Sequence, residues 1–351
     1  MILVVNAGSS SVKVALFDPT LREALRGSVT EIGGEGRLRL GPRDQPAFVA
    51  DHDGAMALLL RALEDVGVQP GSLTAAGHRV VHGGALTAPT RLDAATLAAI
   101  EAASALAPLH NPANLAGIRA LSRLAPDLPQ VASFDTAFHA TNPAVATTYA
   151  LPQDLRDAGV RRYGFHGLSY ASLVDRLTPL PRRLLALHLG NGASACAILD
   201  GQSAATSMGY SPLDGLVMGT RAGSLDGMAV LRIARERGID AAEDLLNRRS
   251  GLKALAGTSD MAALLARDDA DARFAVDLFV HWAARHAAAL LPAMGGADAL
   301  AFTGGIGENA HAIRDRIVEA LAFLGPLPVH VLPAEEERRI AQDALGVLNA
   351  T

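Results

Sequence analysis

The sequence predicts an α/β protein built from two similar domains, and three observations carry that reading. First, one strand-turn-strand unit is written twice. Ile2 to Val5 is an apolar run followed by Asn6-Ala7-Gly8-Ser9-Ser10-Ser11 and then by Val12, Val14 and Leu16 in alternation. Leu184 to Leu189 is again apolar, followed by Gly190-Asn191-Gly192-Ala193-Ser194 and the run Ala195 to Leu199. An apolar run, a Gly/Ser/Asn turn and a second run make a hairpin, and its return about 180 residues later points to duplication. Second, helical periodicity at Gly54 to Val66 and Ala94 to Leu106 alternates with strand-like runs at Ala76 to Val81 and Gln130 to Phe134, the order of a mixed sheet with helical cover. Third, 351 residues exceed one ordinary core, and 50% hydrophobic with 19% charged residues is a composition for well-buried domains.

The other elements follow in order. A first domain is expected over residues 1–142. Pro143 and Pro152 punctuate the crossing into a second, over 143–334, where Gly227 to Arg237 and Arg273 to Leu291 read as long helices. Ala334 to Leu348 has a charged start and an apolar stripe at Ile340, Ala344, Leu345 and Leu348, so it reads as a terminal helix that must pack on something. The formal net charge of -5, with no basic block, leaves no electrostatic footprint for nucleic acid or an anionic membrane. No apolar run approaches the roughly 20 residues of a membrane span, and the first residues lack the basic flank of a signal peptide. The single cysteine, Cys196, allows no internal disulfide and reads as a small core residue. A cytoplasmic protein with small-molecule partners is expected.

Several segments carry chemistry. The first turn combines free backbone N–H groups, the hydroxyls of Ser9, Ser10 and Ser11, and the ammonium of Lys13, all donors to a phosphate. Gly304-Gly305-Ile306-Gly307-Glu308-Asn309 is a third place where backbone can approach a nucleotide, and it lacks the Gly-Lys-Ser/Thr ending of a P-loop. Arg79, in Gly77-His78-Arg79-Val80-Val81-His82-Gly83-Gly84, and Arg221, in Gly219-Thr220-Arg221, are guanidiniums suited to a carboxylate and a phosphoryl group. Asp135 in Phe134-Asp135-Thr136-Ala137-Phe138-His139 ends a strand, where a carboxylate suits metal or proton handling. His166 in Gly164-Phe165-His166-Gly167 lies between glycines; His110 and His188 are weaker candidates. No cysteine cluster or His-Glu-x-x-His pattern offers zinc a site.

In this order the blocks from Val5 to Lys13, Gly77 to Gly84, Ala107 to Pro112, Phe134 to His139, Tyr163 to Gly167, His188 to Gly192 with Ser207 to Arg221, and Phe302 to Asn309 resemble the acetate kinase family, within the short-chain acyl kinases. The match runs from residue 2 to about residue 343. The resemblance implies two duplicated actin/hexokinase-like, ribonuclease H-like α/β domains flanking a nucleotide cleft, with the helix of 335–351 returning to the first domain. It implies reversible in-line transfer from ATP to acetate, giving ADP and acetyl phosphate for acetyl-CoA formation, and a homodimer using Mg2+, with Mn2+ as the alternative ion.

Residue by residue, the resemblance assigns Arg79 to the acetate carboxylate, and Arg221 and His166 to the phosphoryl oxygens. Asp135 is an acid/base residue or an orienting one, and both stay open. Val81, Leu109, Phe165 and Pro212 would meet the acetate methyl group. Asn6 and Glu336 fall at magnesium-associated positions, with Glu337 one residue away as the alternative register. Lys13 and the segment His188, Leu189, Gly190, Asn191 and Gly192 would meet ATP phosphates; Gly305, Ile306, Gly307, Glu308 and Asn309 the adenosine. Asp260, Met261 and Ala262 occupy the place of a Ser-Asp-Phe-Arg pattern near the adenine, and losing its aromatic and arginine predicts a relaxed choice between ATP and GTP. The chain is shorter than is usual for the family, and the difference is assigned to surface segments around Gly33 to Asp51 and in the second domain. The alternatives are a propionate or butyrate kinase and, from another class, a non-catalytic nucleotide-binding switch.

Overall fold

A tight turn at Ser9-Ser10 folds β1 (Ile2–Gly8) onto β2 (Ser11–Phe17), in register from Ile2 opposite Phe17 to Gly8 opposite Ser11. In this computed structural model, which describes residues 1–350, the hairpin is the middle of an eight-stranded sheet. The further strands are β3 (Glu23–Thr30), β4 (Glu35–Leu40), β5 (Arg43–Phe48), β6 (Ala75–Val80), β7 (Thr90–Arg91) and β8 (Gln130–Phe134). Their order is β5-β4-β3-β2-β1-β6-β8-β7. β1, β6 and β8 run parallel, and the hairpins on either side are antiparallel.

The alternation of β1, β2 and β4 explains which helices cover which face. Leu3, Val5, Val12, Val14, Leu16, Leu38 and Leu40 form one core with Met56, Leu59 and Leu63 of α1 (His52–Asp65). After α2 (Ala94–Ala102), whose chain continues as a 3-10 turn to Leu106, α3 (Asn111–Leu124) lies on the same face. It lies so close to β1 that a Cβ on Gly117 would stand 2.6 Å from the Ala7 methyl. The C-terminal helix Glu336–Asn349 covers the opposite face, beginning its contact at Gly77 of β6. A Cβ there would lie 2.7 Å from Ile340 Cγ2 and 3.1 Å from the Ile340 carbonyl. The apolar stripe therefore packs on the first sheet, with Ile340, Ala341 and Ala344 fully buried.

The second sheet repeats the first. Its strands are β9 (Arg183–Leu189), β10 (Ala193–Leu199), β11 (Gln202–Thr206), β12 (Ala299–Thr303) and β13 (Val329–Val331), in the order β11-β10-β9-β12-β13. Two antiparallel pairings followed by two parallel ones reproduce β3-β2-β1-β6-β8 strand for strand. The principal helices of this part are α4 (Gly167–Arg176), α5 (Gly227–Arg237), α6 (Ala270–Leu290) and α7 (Gly304–Asn309). Cys196 is buried in β10, and burial pushes its thiol up to about 12, as befits an inert core residue.

The chain divides into two units, Met1–Phe138 with the segment from Glu335 onward, and His139–Ala334. The boundary thus falls ahead of the 142/143 junction read from the prolines. The reason lies in His139, whose Nε2 donates to the Phe165 carbonyl at 2.9 Å and whose Nδ1 lies 2.8 Å from Ser203 Oγ, both inside the second unit. Pro143 and Pro152 introduce short helical turns of that unit. A second correction concerns Gly33 to Asp51, read as a surface segment: most of it forms the hairpin β4–β5, with Leu38 and Leu40 in the core. Among the described residues no helix is long and apolar enough to cross a membrane.

Two outcomes test this packing. Gly77→Ala inserts a methyl against the Ile340 backbone, which cannot retreat as a side-chain tip can, so urea unfolding is expected to show a loss of about 1–3 kcal/mol. His78, buried beside Gly77 with Nε2 2.7 Å from Gln130 Oε1, is pushed down by burial from 6.5 to about 4, and His139 likewise to about 4. The unfolded chain then binds more protons below pH 6.5, so this stability is complete above that value and is lost as pH falls toward 4. Urea midpoints are expected to drop between pH 7 and pH 5, and a flat profile would contradict the burial of neutral imidazoles.

Candidate active site

Three elements of the first unit converge on one guanidinium. Arg79 lies near the end of β6, Asp135 directly follows β8, and Glu336 is the first residue of the C-terminal helix. Arg79 Nε donates to Asp135 Oδ1 at 3.0 Å and Nη2 to Oδ2 at 2.7 Å, a bidentate pair, while Nη1 lies 3.4 Å from the Glu336 carboxylate. The Asp135 amide donates to the Val80 carbonyl at 3.1 Å, which fixes the carboxylate at the strand end. Burial disfavours the charge on Arg79, yet Asp135 and then Glu336 hold it above the ordinary arginine value. Burial likewise draws the Asp135 carboxyl up, with Arg79 as the opposing pull. Glu335 takes a left-handed φ of 41° just before the helix, an unfavourable geometry for a side chain with a Cβ, and it turns Glu336 inward.

Asn6 and Lys13 stand opposite one another across the first hairpin, Asn6 half-buried and Lys13 exposed. Glu337 diverges from its neighbour: it lies 3.8 Å from Arg26 and, with Lys13, lines a groove of about 570 Å3. Of the two residues left open for the C-terminal segment, Glu336 lies 3.4 Å from Arg79 and Glu337 pairs with Arg26.

Two residues not picked out in the sequence hold this part of the unit. Asn114 Oδ1 accepts from the Val81 amide at 3.1 Å while its Nδ2 donates to the Ala7 carbonyl at 2.7 Å. Asn111 accepts from the His82 amide at 3.0 Å and donates to the His82 carbonyl at 2.9 Å. Both sit three apart in the first turn of α3, so one buried helix end ties the loop after Arg79 to the hairpin turn. Val81 and Leu109 are half-buried beside it. The sequence signal was the Asn-x-x-Asn spacing ahead of an amphipathic helix.

In the second unit a glycine is the point of convergence. A Cβ built on Gly192, in the β9–β10 turn, would lie 3.1 Å from His166 Nε2 and 3.5 Å from Arg221 Nη1, so both side chains reach over the same peptide. His166 adopts a left-handed φ of 60° ahead of α4, and its Nδ1 lies 2.9 Å from Ser194 Oγ, itself 2.6 Å from the Tyr170 hydroxyl. Burial raises the Tyr170 phenol above its ordinary range, so it remains an O–H. With the Tyr170 O–H donating to Ser194 and the Ser194 O–H to Nδ1, the imidazole proton would sit on Nε2, toward Gly192. The His188 ring lies 4.2 Å from the His166 ring, and its Nδ1 is 2.8 Å from Ser169 Oγ.

Arg221 Nη1 donates to the Pro212 carbonyl at 3.3 Å, and the Gly219 amide donates to the Asn191 carbonyl at 3.0 Å, so the loop of Arg221 is laced to the turn of Gly192. Beneath it Asp214 accepts from Ser224 Oγ at 2.5 Å and from Arg162 at 3.2 Å, a support the sequence reading missed. Phe165 is buried and Pro212 half-buried. Gly304 brings α7 onto the end of β9, since a Cβ there would stand 2.7 Å from the Leu189 carbonyl, and Gly305 N is 3.9 Å from the Cβ position of Gly190. Within α7, Ile306 is half-buried and Gly307 buried, Glu308 Oε1 accepts from the Ala334 amide at 3.1 Å, and Asn309 donates to the Gly305 carbonyl at 2.8 Å.

The 260–262 segment offers less than expected. Asp260 accepts from the Ala262 and Ala263 amides as a helix cap, Met261 is only 3% exposed, and Asp260 and Ala262 face solvent. The Met261 side chain packs into the core of the unit.

Duplicated sheets of this order, each opened by a hairpin with a small-residue turn, define the class: a duplicated α/β fold of two sheets. The hexokinase of the ROK type from Thermus thermophilus shares it, with a TM-score of 0.50 at 15% identity over 100% of this chain and 99% of that one. The chain belongs to the acetokinase family, whose family model matches residues 1–342. It is 45% identical to an acetate kinase of Rhodopseudomonas palustris, over 93% of this chain and 87% of that protein, and 43% identical to one of Nitrobacter hamburgensis, over 99% and 96%. A propionate kinase structure from Francisella tularensis superposes with a TM-score of 0.93 at 36% identity, and an acetate kinase from Porphyromonas gingivalis with 0.91 at 32%, each over 99% of both chains.

Asn114→Ala strands the Val81 amide and the Ala7 carbonyl in a buried setting. A destabilisation of about 2–4 kcal/mol in urea unfolding is expected, since each stranded group costs about 1–3 kcal/mol. A loss below about 0.5 kcal/mol would show that solvent replaces both bonds.

Proposed function

We propose that the chain catalyses the reversible transfer of the γ-phosphoryl group of ATP to acetate, giving acetyl phosphate and ADP. The observation that carries this reading is the pair of donors over Gly192, His166 Nε2 and Arg221 Nη1, in a chain of the acetokinase family. Acetate is ionised at neutral pH, so catalysis needs alignment and charge neutralisation more than proton removal. Arg79 would hold the acetate carboxylate. Arg221 and the Nε2–H of His166 would donate to the equatorial oxygens as charge spreads over the phosphoryl group, a role worth about 3 kcal/mol for each donor. The bidentate bond of Asp135 to Arg79 supports an orienting role over an acid/base one. Val81, Leu109, Phe165 and Pro212 would border the methyl group. Lys13 and the turn from His188 to Gly192 would contact the phosphates, and Gly305 to Asn309 the adenosine.

Magnesium fits the residues present. Asn6 and Glu336 offer an amide oxygen and a carboxylate at the first hairpin and the start of the C-terminal helix. Among the described residues no group of three or more acidic or imidazole side chains forms a metal cage. Two oxygen donors suit an ion held mainly by substrate phosphates and water. When bound, the ion would offset the repulsion between the two anions. Family resemblance also supports a homodimer in the cytoplasm.

The Francisella likeness favours one second reading, propionate as the acceptor. Hydroxylamine trapping of the acyl phosphate with acetate, propionate and butyrate, under ATP and GTP, decides: kcat/KM is expected to fall in that order, and a preference for propionate would overturn the acetate reading. Arg221→Ala is expected to lower kcat by about a hundredfold with little change in acetate KM, whereas Arg79→Ala raises that KM as well. Equal small effects would remove both assignments. In a magnesium titration Glu336→Gln is expected to need several times more ion for half-maximal rate, and Glu337→Gln to behave as the unmodified enzyme; the reverse order would move the metal site to Glu337.

A further inference from the structure

Outside the residues assigned above, one polar group stands out in the second unit. Asn142 is 9% exposed, and neither its Oδ1 nor its Nδ2 has a hydrogen-bond partner. An unsatisfied buried carboxamide costs about 1–3 kcal/mol, so a native chain that keeps one has a use for it or a molecule on it. The side chain borders a cavity of about 280 Å3 lined by Asn142, Thr147, Thr148, Arg156, Val160 and Arg161. The remaining polar lining consists of hydroxyls and guanidiniums.

The charges there are one-sided. Among the described residues neither Arg156 nor Arg161 enters an ion pair: Arg156 Nη2 donates to Gln153 Oε1 at 2.5 Å, and the Arg161 guanidinium stands 4.8 Å from the Tyr163 ring centroid. No carboxylate lines the cavity. The frame is built rather than loose, since the Asn142 amide donates to the His139 carbonyl at 3.1 Å, the Arg162 amide to the Thr147 carbonyl at 2.8 Å, and Thr148 bridges to Arg161 as a single antiparallel pair.

We infer that this cavity is a second anion site, taking a small oxyanion such as inorganic phosphate or the terminal phosphate of a nucleotide. Asn142 Nδ2 and the Thr148 hydroxyl donate to its oxygens, and Arg156 and Arg161 neutralise its charge. The volume holds a phosphate with several waters, each of which takes about 30 Å3. The inference stands apart from the proposed activity. It has one consequence for it: Arg161 lies five residues before His166 on the same segment, so occupancy stiffens the chain that leads to the catalytic histidine.

Equilibrium dialysis of the full chain with labelled phosphate tests this. Because phosphate is also expected at Arg221, the unmodified chain, Arg221→Ala, Asn142→Leu and the double variant are compared. The expected result is two equivalents bound, then one, one and none. Asn142→Leu replaces an unsatisfied amide with an apolar group of similar size and is expected to melt at or above the unmodified temperature. Should it melt lower, the exposed substitution Arg161→Gln takes its place, with binding at this site expected to weaken about tenfold. Competition by ADP in the Arg221→Ala background would assign the source to a nucleotide phosphate, and its absence to free phosphate. Binding unchanged in Asn142→Leu and Arg161→Gln, or abolished by Arg221→Ala alone, would overturn the inference and leave the cavity to water.

Discussion

The first unit is organised by a single guanidinium. Arg79 ties the end of β6 to the residue after β8 through a bidentate bond to Asp135, and both to the start of the C-terminal helix through Glu336. A half-buried cation needs compensation, and two carboxylates from distant parts of the sequence supply it. The sheet order β1-β6-β8 puts two of these residues side by side, and the helix can bring the third only because Gly77 leaves room for Ile340. An arginine that must stay charged thus dictates where strand ends and a helix start are placed. The same charge is what an anionic substrate would require.

The second unit uses absence of a side chain for the same end. His166 and Arg221 both approach Gly192, where a Cβ would press on the imidazole by a few tenths of an ångström and would touch the guanidinium at ordinary contact distance. Each is braced from behind: the imidazole by Ser194 and Tyr170, the arginine loop by Asn191 and Asp214. The left-handed φ of 60° at His166 is strain that these contacts hold in place. Rigid donors aimed at one peptide are the preorganised arrangement that electrostatic stabilisation of a transferring group depends on.

Much of this was legible in the chain. Both hairpins, β6, β8, the long helices and the terminal helix announce themselves by period and by Gly/Ser/Asn turns, because those signals are local. Arg79, Asp135, His166 and Arg221 stand out for the same reason, as polar residues at the ends of apolar runs or between glycines. The β4–β5 hairpin was not legible, since Glu35 to Leu40 alternates charge and glycine with leucine and lacks a strong strand composition. Asn111 and Asn114 look like ordinary helix-start residues until the backbone they bond is in place.

By itself the sequence determined the duplicated α/β architecture, the candidate residues and the chemistry they are able to perform, since these depend on residue type and short spacing. Tertiary structure decided what depends on distances between remote segments. It placed Glu336 against Arg79 and Glu337 against Arg26. It buried Met261 in the core, where the sequence had placed it beside a nucleotide. It left Asn142 without a partner at the edge of a cationic cavity. Such outcomes hinge on helical phase and close packing, where a shift of one residue rotates a side chain by about 100° and so exchanges core for solvent.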